Sequence, residues 1–118
     1  MSAERILVVD DDVSTRNLLK EHLSNLGYEV TSASNGEEAL EKYVPEMFDC
    51  IISDLFMPKI DGMELLKKIR QIDREVFFLM ITGYPSIDGA VNAIKEGAYD
   101  YVTKPFQLED FRVKVERA

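Results

Sequence analysis

At 118 residues the chain reads as one domain, residues 1–118, large enough to bury roughly 60–70% of its unfolded surface. Its formal charge of −8, from 22 acidic and 14 basic residues, argues against direct binding to nucleic acid or an anionic membrane, since both need a basic face. The single cysteine, Cys50, permits no internal disulfide, no apolar run approaches the ~20 residues of a membrane span, and no signal-peptide pattern opens the chain; together these point to a reduced, cytoplasmic setting.

Taken in order, residues 6–9 (ILVV) form a β-branched and leucine run without alternation, as expected of a strand covered on both faces. Asp12 or Ser14 can cap the helix that follows, which carries Leu19, Leu23 and Leu26 on one face and Arg16, Lys20 and Glu21 on the other. Gly27 suits its stop. Residues 28–33 are more polar and alternate, the pattern of an edge strand. Ser34-Asn35-Gly36-Glu37 has capping-box spacing and opens a second helix with Ala39, Leu40, Tyr43 and Val44 inward, ended by Pro45. Residues 50–54 (CIISD) read as a buried third strand, and Asp61-Gly62-Met63-Glu64 opens a third helix with Leu65, Leu66 and Ile69 inward. The most hydrophobic run, 76–82, is placed as a central strand. After the loop 83–86 comes a helix with Ile87, Val91 and Ile94 on one side, stopping at Gly97. Residues 99–103 form the fifth strand, and beyond Lys104-Pro105 a last helix spaces Leu108, Phe111 and Val115 helically. His22 falls on the outer side of the first helix.

Strands alternating with helices imply an α/β fold: a doubly wound, five-stranded parallel sheet, taken in the common order 2-1-3-4-5, flanked by five helices. All strand carboxyl ends then share one rim. Asp10 and Asp11 end the first strand, Asp54 the third and Thr82 the fourth, and Lys104 follows the fifth. The first and third strands are neighbours at the switch point, where such sheets bind ligands. Three carboxylates there repel one another and call for a cation; hard oxygen donors in small number suit Mg²⁺. With a lysine and a hydroxyl beside it, an acid at such a site can accept a phosphoryl group.

The pieces VVDD, DLFMPKIDG around Asp54, ITG at Thr82 and YDYVTKPF around Lys104 resemble bacterial two-component response-regulator receiver domains, in family order and at family spacing, over essentially the whole chain. The resemblance implies a flavodoxin-like, CheY-like fold with Asp54 as the phospho-acceptor, served by a sensor histidine kinase or phosphotransfer protein. It implies a Mg²⁺ site of Asp10, Asp11, Asp54 and the backbone carbonyl of Phe56, with Asp11 the more direct ligand. Lys104 would contact the phosphoryl group, and Thr82 and Tyr101 would be the switch pair. The pair Asp10 and Asp11 is taken because both directly follow the apolar strand, which leaves Asp12 as a cap; the three consecutive acids leave the assignment open by one residue. Family members carry a cis bond before the proline matching Pro105. Phe56 and Tyr84, two residues after Asp54 and Thr82, hold positions that in the family influence phosphate loss, and bulky rings there can shield an acyl phosphate. Residues 82–106 are similar to receivers that precede ATPase-type transcription activators, which implies a C-terminal output domain outside this chain. A homodimer through the fourth helix, fifth strand and last helix would use Ile87, Val91 and Tyr101.

Two rival readings use the same residues. Asp10-Asp11-Asp12 superficially fits the Asp-x-Asp of haloacid-dehalogenase-type phosphatases, with Asp10 as nucleophile, but the chain is short for a cap domain and Asp54 stays unexplained. A flavodoxin-like cofactor binder needs a phosphate loop after the first strand, where this chain has acids.

Overall fold

Three apolar runs set the layer order. β1 (Arg5–Val9), β3 (Cys50–Asp54) and β4 (Phe77–Thr82) are buried along nearly their whole lengths, which only strands covered on both faces can be. The more polar β2 (Glu29–Ala33) and the short β5 (Asp100–Thr103) take the two edges. All four pairings are parallel, in the order β2-β1-β3-β4-β5, as the sequence implies. The chain is described by a computed structural model over residues 4–84, 86–104 and 107–117. The peptide bond before Pro105 and the side chain of Phe111, both singled out above, lie outside what is described.

Because successive strand residues face opposite ways, the sheet splits the core in two. Leu7, Val9, Ile51, Phe78 and Met80 face α2 (Gly36–Lys42), α3 (Gly62–Ile72) and α4 (Ile87–Lys95), meeting Ala39, Leu65, Leu66, Ile69 and Ala93. Ile6, Val8, Ile52, Leu79 and Ile81 face α1 (Val13–Asn25) and α5 (Leu108–Arg117), meeting Leu19, Leu23 and Val115. Cys50 belongs to this second cluster, and burial pushes its thiol up to about 12, the chemistry of an inert core residue. Among the described residues no helix is long and apolar enough to cross a membrane.

Local signals place most helix ends. Asp12 and Asp61 are N-caps, accepting from the N–H groups of Ser14 and Glu64. Gly27 and Gly97 follow α1 and α4 at φ +100° and +110°, in the left-handed region that suits glycine. The α2 box sits one residue later than its spacing suggests. Asn35 caps Glu38, and the Glu38 carboxylate returns to the N–H and hydroxyl of Ser34, both at 2.7 Å. Glu38 wins over Glu37 because it also pairs with Lys42 at 2.8 Å, one helical turn on. Lys42 first, then Ser34, lowers the Glu38 carboxyl from 4.5 to about 2. A depressed acid contributes stability above its unfolded value and loses it as pH falls through the folded one. Glu38→Ala is therefore expected to lower unfolding free energy at pH 7 by about 1 kcal/mol, the usual worth of a helix cap. In denaturant titrations at several pH values, the gap to wild type is expected to shrink between pH 4.5 and about 2.

α4 is turned differently from its apolar spacing. Ile87 is 84% exposed and Val91 and Ile94 are about half exposed, while Ala93 is fully buried. The inward face uses Gly89, Ala90 and Ala93, whose small size lets the helix lie close to β5. His22 is half-buried rather than on the surface, with Nε2 shielded from solvent and without a hydrogen-bond partner among the described residues.

Candidate functional site

Register brings the acids together. Val9 pairs with Ser53, so Asp10 and Asp54 leave neighbouring strands side by side. The Asp10 N–H still bonds Ala33 O at 3.1 Å, and the Leu55 N–H bonds Ile81 O at 2.7 Å, which carries sheet order past both acids. Asp10 is 0% exposed and Asp54 6%. Asp11 is exposed. Oxygen atoms of Asp10, Asp11 and Asp54 lie within 4.8 Å of one another, close enough to share one cation.

Lys104 closes the group from the far side. Its N–H donates to Thr82 O at 2.7 Å, so β4 fixes its backbone. Its ammonium donates to Asp10 Oδ2 at 3.2 Å and Asp54 Oδ2 at 3.3 Å. Burial works to lower the Lys104 pKa, but Asp10 and Asp54 outweigh it and the net shift is upward, so the charge is kept. Asp54 is raised, chiefly by burial and next by the Asp10 charge; Lys104 and the Phe56 N–H oppose the rise without cancelling it. Three carboxylates facing one ammonium leave a double negative charge, which is what a divalent cation offsets.

The acids differ in what they have left to offer. Asp10 is spoken for: Oδ1 accepts from the Asp12 N–H at 2.9 Å and Oδ2 from Lys104. Buried and doubly engaged, it is poorly placed as a nucleophile, which disfavours the phosphatase reading. Asp12 spends its carboxylate on the Ser14 N–H and the Thr15 hydroxyl, and those bonds, Thr15 first, lower its pKa. That makes Asp12 the cap of α1.

Residues from outside the motif hold this geometry. Arg16 donates from Nη1 to Asp10 O at 2.7 Å, clamping the turn between β1 and α1. Helical spacing places Arg16 on the outer face of α1, but a long cation one turn into a helix that starts just past an acidic strand end can reach back to that end. Gly62 lets the start of α3 press against β3, since a Cβ there would lie 2.3 Å from Asp54 O. Thr82 is 0% exposed, one residue past the partner of Asp54, and its Oγ1 accepts from the Tyr84 N–H at 3.0 Å. Tyr101 is half-buried with its ring inward, its hydroxyl shielded and unpartnered among the described residues. The ring fits because Gly89 lacks a side chain: a Cβ there would lie 3.2 Å from the Tyr101 hydroxyl. Phe56 and Tyr84, both exposed, meet edge-to-face at 5.8 Å, linking the β3–α3 and β4–α4 loops.

The family model for the response regulator receiver domain matches residues 6–116. The transcriptional regulatory protein ZraR of Klebsiella oxytoca is 41% identical over 100% of this chain, and the probable transcriptional regulator ycf27 of Guillardia theta is 39% identical over 95%. The matched segments make up 27% and 44% of those two proteins, so the chain spans less than half the length of either. The crystal structure of a CheY-like response regulator receiver domain protein from Methanospirillum hungatei JF-1 superposes with a TM-score of 0.93 at 34% identity, covering 98% of this chain and 93% of that one.

Proposed function

The chain belongs to the response regulator receiver domain family, and on that premise we propose that residues 1–118 form one such domain with Asp54 as its phospho-acceptor. A receiver domain is a signalling switch rather than an enzyme acting on a separate substrate. The observation that carries the assignment is the Lys104 ammonium shared by Asp54 and Asp10, with Asp11 in the same oxygen cluster.

The phosphoryl donor is a phosphohistidine of a sensor histidine kinase or phosphotransfer protein. An Asp54 carboxylate oxygen attacks phosphorus; the O–P bond forms as the P–N bond breaks, and the imidazole leaves with the electron pair and takes up a proton. Such transfer depends mostly on positioning and charge neutralisation. Asp11, exposed, would be the more direct ligand for Mg²⁺, with Asp10, Asp54 and the carbonyl of Phe56 as the other donors. Hard carboxylate oxygens within 4.8 Å of one another suit that ion. Bound Mg²⁺ supplies positive charge against the phosphoryl oxygens. The Lys104 ammonium is released from its paired carboxylates to bind a phosphoryl oxygen. The domain catalyses only its own phosphorylation and dephosphorylation, and the Phe56–Tyr84 contact gives the acyl phosphate partial cover from water.

Thr82 and Tyr101 are the switch pair. The Thr82 hydroxyl proton can be donated to a phosphoryl oxygen, which pulls on the Tyr84 N–H bound to the same oxygen atom. Tyr101 already lies inward beside Gly89, so phosphorylation favours a position that the unmodified chain can occupy. The exposed face of Ile87, Val91 and Ile94 offers a surface for a homodimer through α4, β5 and α5 or for a cytoplasmic output domain in transcription control. In ¹⁵N spectra, beryllofluoride with Mg²⁺ is expected to shift amides at Thr82, Tyr84 and along α4 as well as those near Asp54. Shifts confined to the acidic pocket would contradict the switch.

A further inference from the structure

A cleft of about 880 Å³ opens between the ends of α3 and α4, at the other end of the sheet from the acidic rim. Lys67, Arg70, Arg74 and Lys95 line it, against one carboxylate, Glu96. That charge pattern runs opposite to a chain of net charge −8. Lys67 and Arg70 lie one turn apart on α3, where like charges repel. Cations in a last helical turn offset the helix dipole, which accounts for Arg70 and Lys95. It does not account for Lys67, a turn earlier, or for Arg74, past the end of α3. Among the described residues Lys67, Arg74 and Lys95 have no ion-pair partner.

Arg70 is held in place. Its Nε and Nη2 donate to Gly97 O at 3.2 and 2.8 Å, and its Nη1 donates to Asp73 O at 3.2 Å. Gly97 makes this approach possible, because a Cβ there would lie 2.8 Å from Arg70 Nε. A guanidinium has five N–H donors, so two remain for a ligand on a fork that is already oriented. The rest of the lining is Gln71 and Gly97. There is no aromatic wall to stack a base and no aliphatic floor to seat an amphipathic helix. The volume is that of a small-molecule site.

We propose that this cleft binds a compact polyphosphate anion, two or more linked phosphates, with Arg70 as the fixed fork and Lys67, Arg74 and Lys95 as flexible counter-charges. Arg70 ties the end of α3 to the residue that stops α4, so occupancy is felt at α4. Through Asp73 the same network reaches Tyr43, whose hydroxyl donates to the Asp73 carboxylate.

The test is a titration of the ¹⁵N-labelled protein with inorganic tripolyphosphate in Mg²⁺-free buffer. Saturable shifts at residues 67–74 and 95–97 are expected, weakened by added salt. The double substitution Arg74→Ala, Lys95→Ala keeps the Arg70 clamp and is expected to weaken binding at least tenfold while lowering the unfolding midpoint by only a few degrees, the loss of one helix-end cation. Lys20→Ala, at an exposed position of α1, is expected to leave binding unaltered. Shifts centred on Lys104, a linear response without saturation, or equal loss in the Lys20 variant would each overturn the proposal. So would tighter binding of an oligo-glutamate peptide or duplex DNA at the same residues.

Discussion

Asp54→Asn is expected to reduce phosphoryl incorporation from acetyl phosphate and Mg²⁺ to background, and also to make the metal-free protein more stable. The first effect follows from removing the nucleophile, because an amide cannot form the acyl phosphate. The second follows from the electrostatics of an incomplete site. Burial and the neighbouring Asp10 raise the Asp54 pKa, so its charged form destabilises the fold. An uncharged isostere relieves that strain, while Lys104 keeps Asp10 as a partner at 3.2 Å. The gain is read as a higher unfolding midpoint in metal-free buffer. For an acid raised in the folded state the penalty grows as pH climbs above 3.8, its ordinary value, and vanishes below it. The stability gap between variant and wild type is therefore expected to close as pH is lowered towards 3.8. Thermal melts without metal across that range check the sign. A variant less stable than wild type at neutral pH would mean that the Lys104 pairing outweighs the repulsion.

The second large effect belongs to Asp11. It is the exposed member of the carboxylate cluster, whereas Asp10 is engaged by Lys104 and the Asp12 N–H. Loss of even an outer-shell partner costs roughly 10–100-fold in metal affinity, and loss of a direct ligand costs at least as much. At Mg²⁺ a hundredfold above its Kd, the wild type gains about 2.7 kcal/mol of stability. If Asp11→Asn raises Kd about 100-fold, only about 0.4 kcal/mol remains at the same concentration. Asp12→Asn keeps a good helix cap and is expected to leave the Mg²⁺-dependent gain intact. Denaturant titrations with and without Mg²⁺ separate the two. Equal losses in both variants would place the metal one residue further along the chain.

Strand positions were legible because burial on both faces writes an unbroken apolar run, and β1, β3 and β4 have little else. The meeting of Asp10 with Asp54 followed from the switch point of a doubly wound sheet, and Lys104 from its place just past the last strand. What stayed hidden depends on contacts between elements. Ile87, Val91 and Ile94 share a helical face, but spacing alone does not say whether large or small residues meet the sheet; closeness to Tyr101 requires Gly89, and Ala93 is the fully buried residue of the helix. The choice of Glu38 over Glu37 turned on a lysine one turn along the same helix. Arg16 could not be tied to Asp10 O without the geometry of the intervening turn. The basic cleft draws on the ends of two helices separated by a strand, so no local motif announces it.

The most direct test of the account is to find where the phosphoryl group goes. After incubation with acetyl phosphate and Mg²⁺, borohydride reduces an aspartyl phosphate to homoserine, a change that peptide mass spectrometry assigns to one residue. The account predicts homoserine at position 54 and at no other aspartate. Homoserine at position 10, with Asp54 unchanged, would contradict it.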